Sequence, residues 1–100
     1  MLYSHFKKNY KDINVDQVLE SNNIKKYRKS TRIYLVDNKT YIKNVYGIAM
    51  YHVKPFLEVH NKYYIVCPFC GEIHIHGAVD GYRIAHCKST IKHEEYFIKK

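Results

Sequence analysis

The 100-residue sequence predicts an α+β fold, mainly antiparallel strands with one or two short helices. Three observations predict it. Apolar residues take helical spacing over one short early segment. From residue 32 to 66, β-branched and aromatic residues dominate, broken by turn-forming pairs. The length and the 46% hydrophobic fraction suit one domain spanning 1–100 with a small core. A chain this short buries only roughly two-thirds of its unfolded surface, so a metal or a disulfide commonly adds stability.

The elements follow in chain order. Over 12–21, Ile13, Val15, Val18 and Leu19 approximate one helix face, with Asp12 or Asn14 able to cap the start and Asn22-Asn23 to end it. A basic stretch comes next, from Asn23 to Arg32. A strand meander is then expected: Arg32 to Val36, a turn at Asp37-Asn38-Lys39, Thr40 to Tyr46, Gly47, and Ile48 to Val53. Pro55 interrupts. Phe56 to His60 forms another candidate strand, Asn61-Lys62 a turn, and Tyr63 to Val66 a strand leading into a cysteine pair. The tail from Ser89 to Ile98 suits a helix capped by Ser89 or Thr90, or a strand, and that choice stays open. The chain thus divides into 1–62, a basic helix plus meander, and 63–100, which holds the cysteines and the C-terminal segment.

Residue usage is skewed toward Lys, Ile, Asn and Tyr, with 11 Tyr, 4 Phe and no Trp. These residues have A/T-rich codons, which points to an AT-rich cellular or viral source. No apolar run approaches the roughly 18 residues of a membrane span, and Met1 to Asp12 lacks a signal-peptide core. An intracellular protein is expected, in host cytoplasm or nucleus or in a virion, with no membrane partner. The net charge is +8, and it is uneven: residues 1–62 carry 12 basic against 5 acidic side chains, residues 63–100 carry 5 against 4.

The three cysteines are an odd number, and two of them form Cys67-Pro68-Phe69-Cys70-Gly71. That pattern favours metal over a disulfide framework. Two thiolates spaced by two residues reach one zinc ion, and the glycine permits the tight turn; two more ligands are needed. His74, His76, His86 and Cys87 follow within 16 residues of Gly71. A redox dithiol would sit at a helix start, whereas Glu72-Ile73-His74-Ile75-His76 alternates like a strand. The expected architecture in the C-terminal half is therefore a zinc-bound β-hairpin, zinc-ribbon or treble-clef-like.

Asp80-Gly81 is a hairpin-turn signal that would pair Val79 with Tyr82, His76 with Ala85 and His74 with Cys87. Opposed residues have Cβ atoms about 5 Å apart, so this register selects Cys67, Cys70, His74 and Cys87 as ligands. His76 competes as the histidine, and His86 or His93 would serve a treble-clef arrangement. On the same face Glu72, His76 and Arg83 suit either a polar site that holds phosphate or activates water, or groups that orient the ligand imidazole.

The string Cys67-Pro-Phe-Cys-Gly, His74-Ile-His76-Gly, Gly81-Tyr-Arg83-Ile-Ala-His86-Cys87 resembles a C-x2-C-G-x2-H-x-H-G...G-x-R-x-A-H-C zinc-finger-like motif. Motifs of this kind occur in small, mostly uncharacterised proteins of phages, bacteria and large DNA viruses. The resemblance covers about a fifth of the chain. It implies metal binding, keeps His76 and His86 open as ligands, and implies no activity.

Outside the cysteines, Lys25, Lys26, Arg28, Lys29 and Arg32 form the densest basic stretch, with Tyr27 and Tyr34 interleaved. Clustered cations bind polyanions by releasing counterions, and tyrosines stack on exposed bases. The same lysines also suit a solvated strand edge protected from aggregation. The favoured function is a non-enzymatic protein that binds DNA or RNA with little sequence specificity, its Zn2+ structural. The alternatives are a module that binds a host, virion or second protein copy through tyrosine-rich strands, and a metal-dependent hydrolase or nuclease using Glu72, His76 or His86.

Overall fold

The computed structural model describes residues 2–85, 87 and 94–100. Two helices open the chain. α1 spans Tyr3–Asn9 and α2 spans Val15–Ser21. Asn14, one of the two candidate caps, caps α2: its side chain accepts from the Gln17 amide at 3.1 Å. α1 lies outside the sequence expectation. Its apolar positions, Tyr3 and Phe6 with Tyr10 just beyond, share one face, but five intervening polar residues hide the stripe.

Among the described residues nine strands follow: β1 Ile24–Lys29, β2 Arg32–Asp37, β3 Tyr41–Val45, β4 Ile48–Val53, β5 Leu57–Val59, β6 Lys62–Val66, β7 Ile73–Gly77, β8 Gly81–Ala85 and β9 Glu94–Ile98. They form a β1-β2 ribbon, a β5-β6-β7 sheet and a β3-β4-β9-β8 sheet in which β4 and β9 run parallel and the rest antiparallel. The fold is α+β, as the sequence indicates. Among the described residues, no helix is long and apolar enough to cross a membrane.

The single meander is corrected. β2 and β3 belong to different sheets, and the basic stretch is itself a strand, β1, paired to β2. The other edge of β2 is taken: the Leu35 amide donates to the Gly71 carbonyl at 2.9 Å. Buried Asp37 then accepts from the Lys39 amide at 2.9 Å and turns the chain toward the next layer. Burial raises the Asp37 carboxyl pKa.

The Asp80-Gly81 hairpin is likewise not formed. β7 pairs with β6, and β8 pairs with β9. Asp80 instead accepts from the Tyr63 hydroxyl at 3.4 Å and the Lys100 amide at 3.1 Å, tying the β7–β8 connection to β6 and the C-terminus. For the tail, 94–98 is a strand; the candidate caps Ser89 and Thr90 lie outside the described residues. The two expected halves interlock, because β4 pairs with β9 and β5 with β6.

β6 joins two cores. Tyr64 and Val66 face Phe6, Leu19, Leu35, Phe56 and Ile73, beneath the helices and ribbon. Tyr63 and Ile65 face Val53, Ala85, Tyr96 and Ile98 of the four-stranded sheet. Each Val, Leu, Ile and Phe among them gains roughly 1.5–3 kcal/mol on burial. Around Phe6, the rings of Tyr10, Tyr64 and Phe56 lie 4.7, 5.5 and 5.9 Å away. The Tyr10 and Tyr64 hydroxyls are hydrogen-bonded, and burial pushes Tyr64 up to about 12.

Candidate metal centre

The hairpin at the centre of the candidate site is β6–β7, which the cysteine pair closes. Cys67 leaves β6 with its amide bonded to the Glu72 carbonyl at 2.8 Å, and the Gly71 amide donates back to the Cys67 carbonyl at 2.9 Å. Gly71 takes φ +70°, and a Cβ there would lie 3.2 Å from Tyr34 Cβ and 3.3 Å from the Leu35 carbonyl. Only glycine fits both the turn and the approach of β2.

On β7, His74 and His76 project toward the four-stranded sheet, in register with Ile65 and Tyr63. Cys87 arrives two residues beyond β8. One donor atom each from Cys67, Cys70, His74 and Cys87 lies within 4.8 Å of all the others. Cys67 and Cys87 sulfurs are 4.0 Å apart, and Cys70 Sγ is 3.4 Å from His74 Nε2. A tetrahedral zinc with bonds of about 2.3 Å to sulfur and 2.0–2.1 Å to nitrogen needs about 3.8 Å between sulfurs and about 3.5 Å from sulfur to nitrogen. The donor set could hold a metal ion. The residues brought together are the four selected from sequence, although the hairpin invoked to join His74 to Cys87 is absent.

Behind His74 stands Tyr96 of β9, fully buried. Its hydroxyl is 3.2 Å from His74 Nδ1 and 2.5 Å from His76 Nε2. Burial, then the negative charge of the nearby cysteine sulfurs, raises its pKa, so it remains a phenol. With His74 Nε2 turned to the sulfurs, Nδ1–H donates to the Tyr96 oxygen and the phenol donates to His76. His76 therefore stands behind the donor set rather than in it. His86 and His93 lie outside the described residues.

The two sulfurs of the cysteine pair are unlike. The hydrogen bond shared with Cys70, then burial, raises the Cys67 thiol; the same bond, aided by His74, lowers Cys70. Metal binding requires deprotonated thiols, so a bound cation would displace protons from this pair.

Glu72, His76 and Arg83 are held by three different partners. Glu72 pairs with Arg32, His76 with the Tyr96 hydroxyl, and the Arg83 guanidinium with the carbonyls of Tyr82 and Val79 at 2.9 and 2.8 Å.

The five basic residues also divide. Lys26 reaches Asp16 at 3.1 Å, where Lys7 and the Tyr3 hydroxyl converge too, and this pulls the Asp16 carboxyl far below its usual range. Arg32 is paired with Glu72 and lies 5.1 Å over the Tyr34 ring. Lys25, Arg28 and Lys29 are exposed and have no ion pair among the described residues. Alternation along β1 puts Lys25, Tyr27 and Lys29 on the ribbon face away from the core. A cleft of about 520 Å³ runs between Lys29, Tyr34 and Val36 of the ribbon and Tyr51, Phe69 and Cys70.

Tyr96 was not selected from sequence. The alternation of Tyr96 and Ile98 is the signal for it, visible once 94–98 is read as a strand. No family model, curated protein or solved structure matches the chain.

Proposed function

We propose that the chain is a small viral protein, folded around one structural zinc ion, that binds nucleic acid with little sequence specificity. The observation carrying this proposal is the exposed, unneutralised trio Lys25, Arg28 and Lys29 on the ribbon that the cysteine turn anchors through Leu35 and Gly71. Zinc suits three sulfurs and one imidazole better than a hard cation does, and four protein donors leave no open position for a reacting water. The net charge of +8 favours a polyanion, and AT-rich residue usage together with the motif resemblance supports the viral origin. The separate engagement of Glu72, His76 and Arg83 weighs against a hydrolase.

Metal analysis and a mobility-shift titration test it together. One zinc per chain is expected, with loss of metal in Cys67→Ser and Cys87→Ser. Lys25→Gln, Arg28→Gln and Lys29→Gln combined should weaken binding equally across sequences and reduce the slope of log K against log salt by about 3. No binding at low salt, or binding unchanged in the triple variant, overturns nucleic-acid binding. Absence of zinc in the purified protein overturns the metal assignment.

A further inference from the structure

The outward face of the four-stranded sheet carries one aromatic side chain on each strand, all in line. The register sets Tyr41 of β3 opposite His52 of β4, His52 opposite Phe97 of β9, and Phe97 opposite Tyr82 of β8. Ring centroids are 5.2, 5.0 and 5.0 Å apart along the row. Tyr41 and His52 stack at 28°, while Tyr82 meets Phe97 at 77°. The core does not require this row, because Val53, Tyr96 and Ile98 fill the opposite face. At its two ends Tyr41 is 54% and Tyr82 59% exposed, large apolar surface left in water.

Charge identifies the occupant. Lys43, two residues along β3 from Tyr41, and Lys99, just past β9, flank a shallow cleft of about 300 Å³ beside the row, and neither has an ion pair among the described residues. One acidic group, Asp80, lines the same cleft, its carboxylate accepting from the Tyr63 hydroxyl and the Lys100 backbone amide, and Glu95 lies two residues back along β9. His52 Nδ1 is buried without a hydrogen-bond partner among the described residues. Aromatic rings bordered by cations suit stacked bases joined by phosphates, and bases are free to stack this way only when unpaired.

We infer that the Tyr41–His52–Phe97–Tyr82 row is a base-stacking surface for single-stranded nucleic acid, with Lys43 and Lys99 meeting the flanking phosphates. This rests on nucleic-acid binding as proposed above. It adds strand selectivity at a second surface, distinct from the ribbon.

The test is fluorescence anisotropy of the zinc-loaded full chain with labelled dT15, U15 and a 15-bp duplex at low salt. Single strands should bind at least tenfold more tightly than the duplex. Tyr41→Leu with Tyr82→Leu should weaken single-strand binding about tenfold or more and leave the duplex within twofold, since stacking on one aromatic is worth roughly 1–3 kcal/mol per base. Both tyrosines are exposed, and Tyr41→Phe with Tyr82→Phe should keep single-strand affinity, which separates stacking from hydroxyl bonding. The Lys25, Arg28 and Lys29 variant should weaken single strand and duplex alike. Binding without strand preference, or unaffected by the leucine pair, overturns the row while leaving the ribbon proposal standing. No binding to any of the three overturns both, and a nuclease-resistant protein partner retained through Tyr41 and Tyr82 overturns the row alone.

Discussion

The Tyr96 hydroxyl lies 3.2 Å from Nδ1 of His74, so a buried phenol on the last strand sets the orientation of the one imidazole in the donor set. Partners of this kind fix the tautomer and ring angle of a ligand histidine, and their loss typically costs 10–100-fold in metal affinity. Tyr96→Phe keeps the ring and removes the hydrogen bonds. A roughly tenfold weaker zinc affinity is expected by chelator competition. Unchanged affinity with reduced stability would show that Tyr96 acts through packing alone.

Gly71 offers a comparison with a second glycine. Gly71 and Gly47 have φ of +70° and +80°, but a Cβ would meet Tyr34 and Leu35 only at Gly71; at Gly47 nothing lies within 4 Å. Gly47→Ala should cost about 1 kcal/mol, the left-handed backbone penalty alone. Gly71→Ala should cost about 2–3 kcal/mol, because the ribbon must also shift from the cysteine turn. Urea midpoints at saturating zinc measure both. Equal losses would show that the Leu35–Gly71 contact yields without cost.

His52 is stacked between Tyr41 and Phe97, with Lys43, Lys99, Tyr82 and Asp80 around the same cleft. Burial first, then Lys43 and Lys99, lowers its pKa below 6.5. Above pH 6.5 the imidazole is neutral in folded and unfolded chains alike, and stability is unaffected. As pH falls through 6.5 the unfolded chain takes the proton first, so stability declines, levelling off below the folded pKa. Acid would also release a metal held by the cysteine cluster, so the wild type is compared with His52→Phe. The difference in Tm should change between pH 7.5 and 5.5, with the wild type losing more. Parallel curves would remove His52 as the cause.

The donor set was legible because its spacing is local. Cys67, Cys70 and His74 sit on one turn and the strand leaving it, and a metal constrains which residue types follow. Cys87 joins the cluster by a route other than the turn at Asp80-Gly81. That turn signal was outweighed by pairing elsewhere: β8 pairs with β9 and β7 with β6, which places the two strands at the edges of different sheets. The same accounting broke the meander, because the free edge of β2 bonds to Gly71. Lys26 and Arg32 read as part of one basic stretch, and nothing in their spacing indicated Asp16 or Glu72 as partners 10 and 40 residues away.

By itself, the sequence determined the α+β class, the strand-rich middle, the helix near residue 15 and a four-residue thiolate and imidazole set. These depend on periodicity and short spacing, which the chain carries locally. Only the tertiary structure decided which strands share a sheet, that Tyr96 stands behind His74, that three of five cations have no ion pair among the described residues, and that four aromatic rings line up across β3, β4, β9 and β8. Those relations join residues tens of positions apart. They are settled by which edges and faces remain once every strand has found its partners.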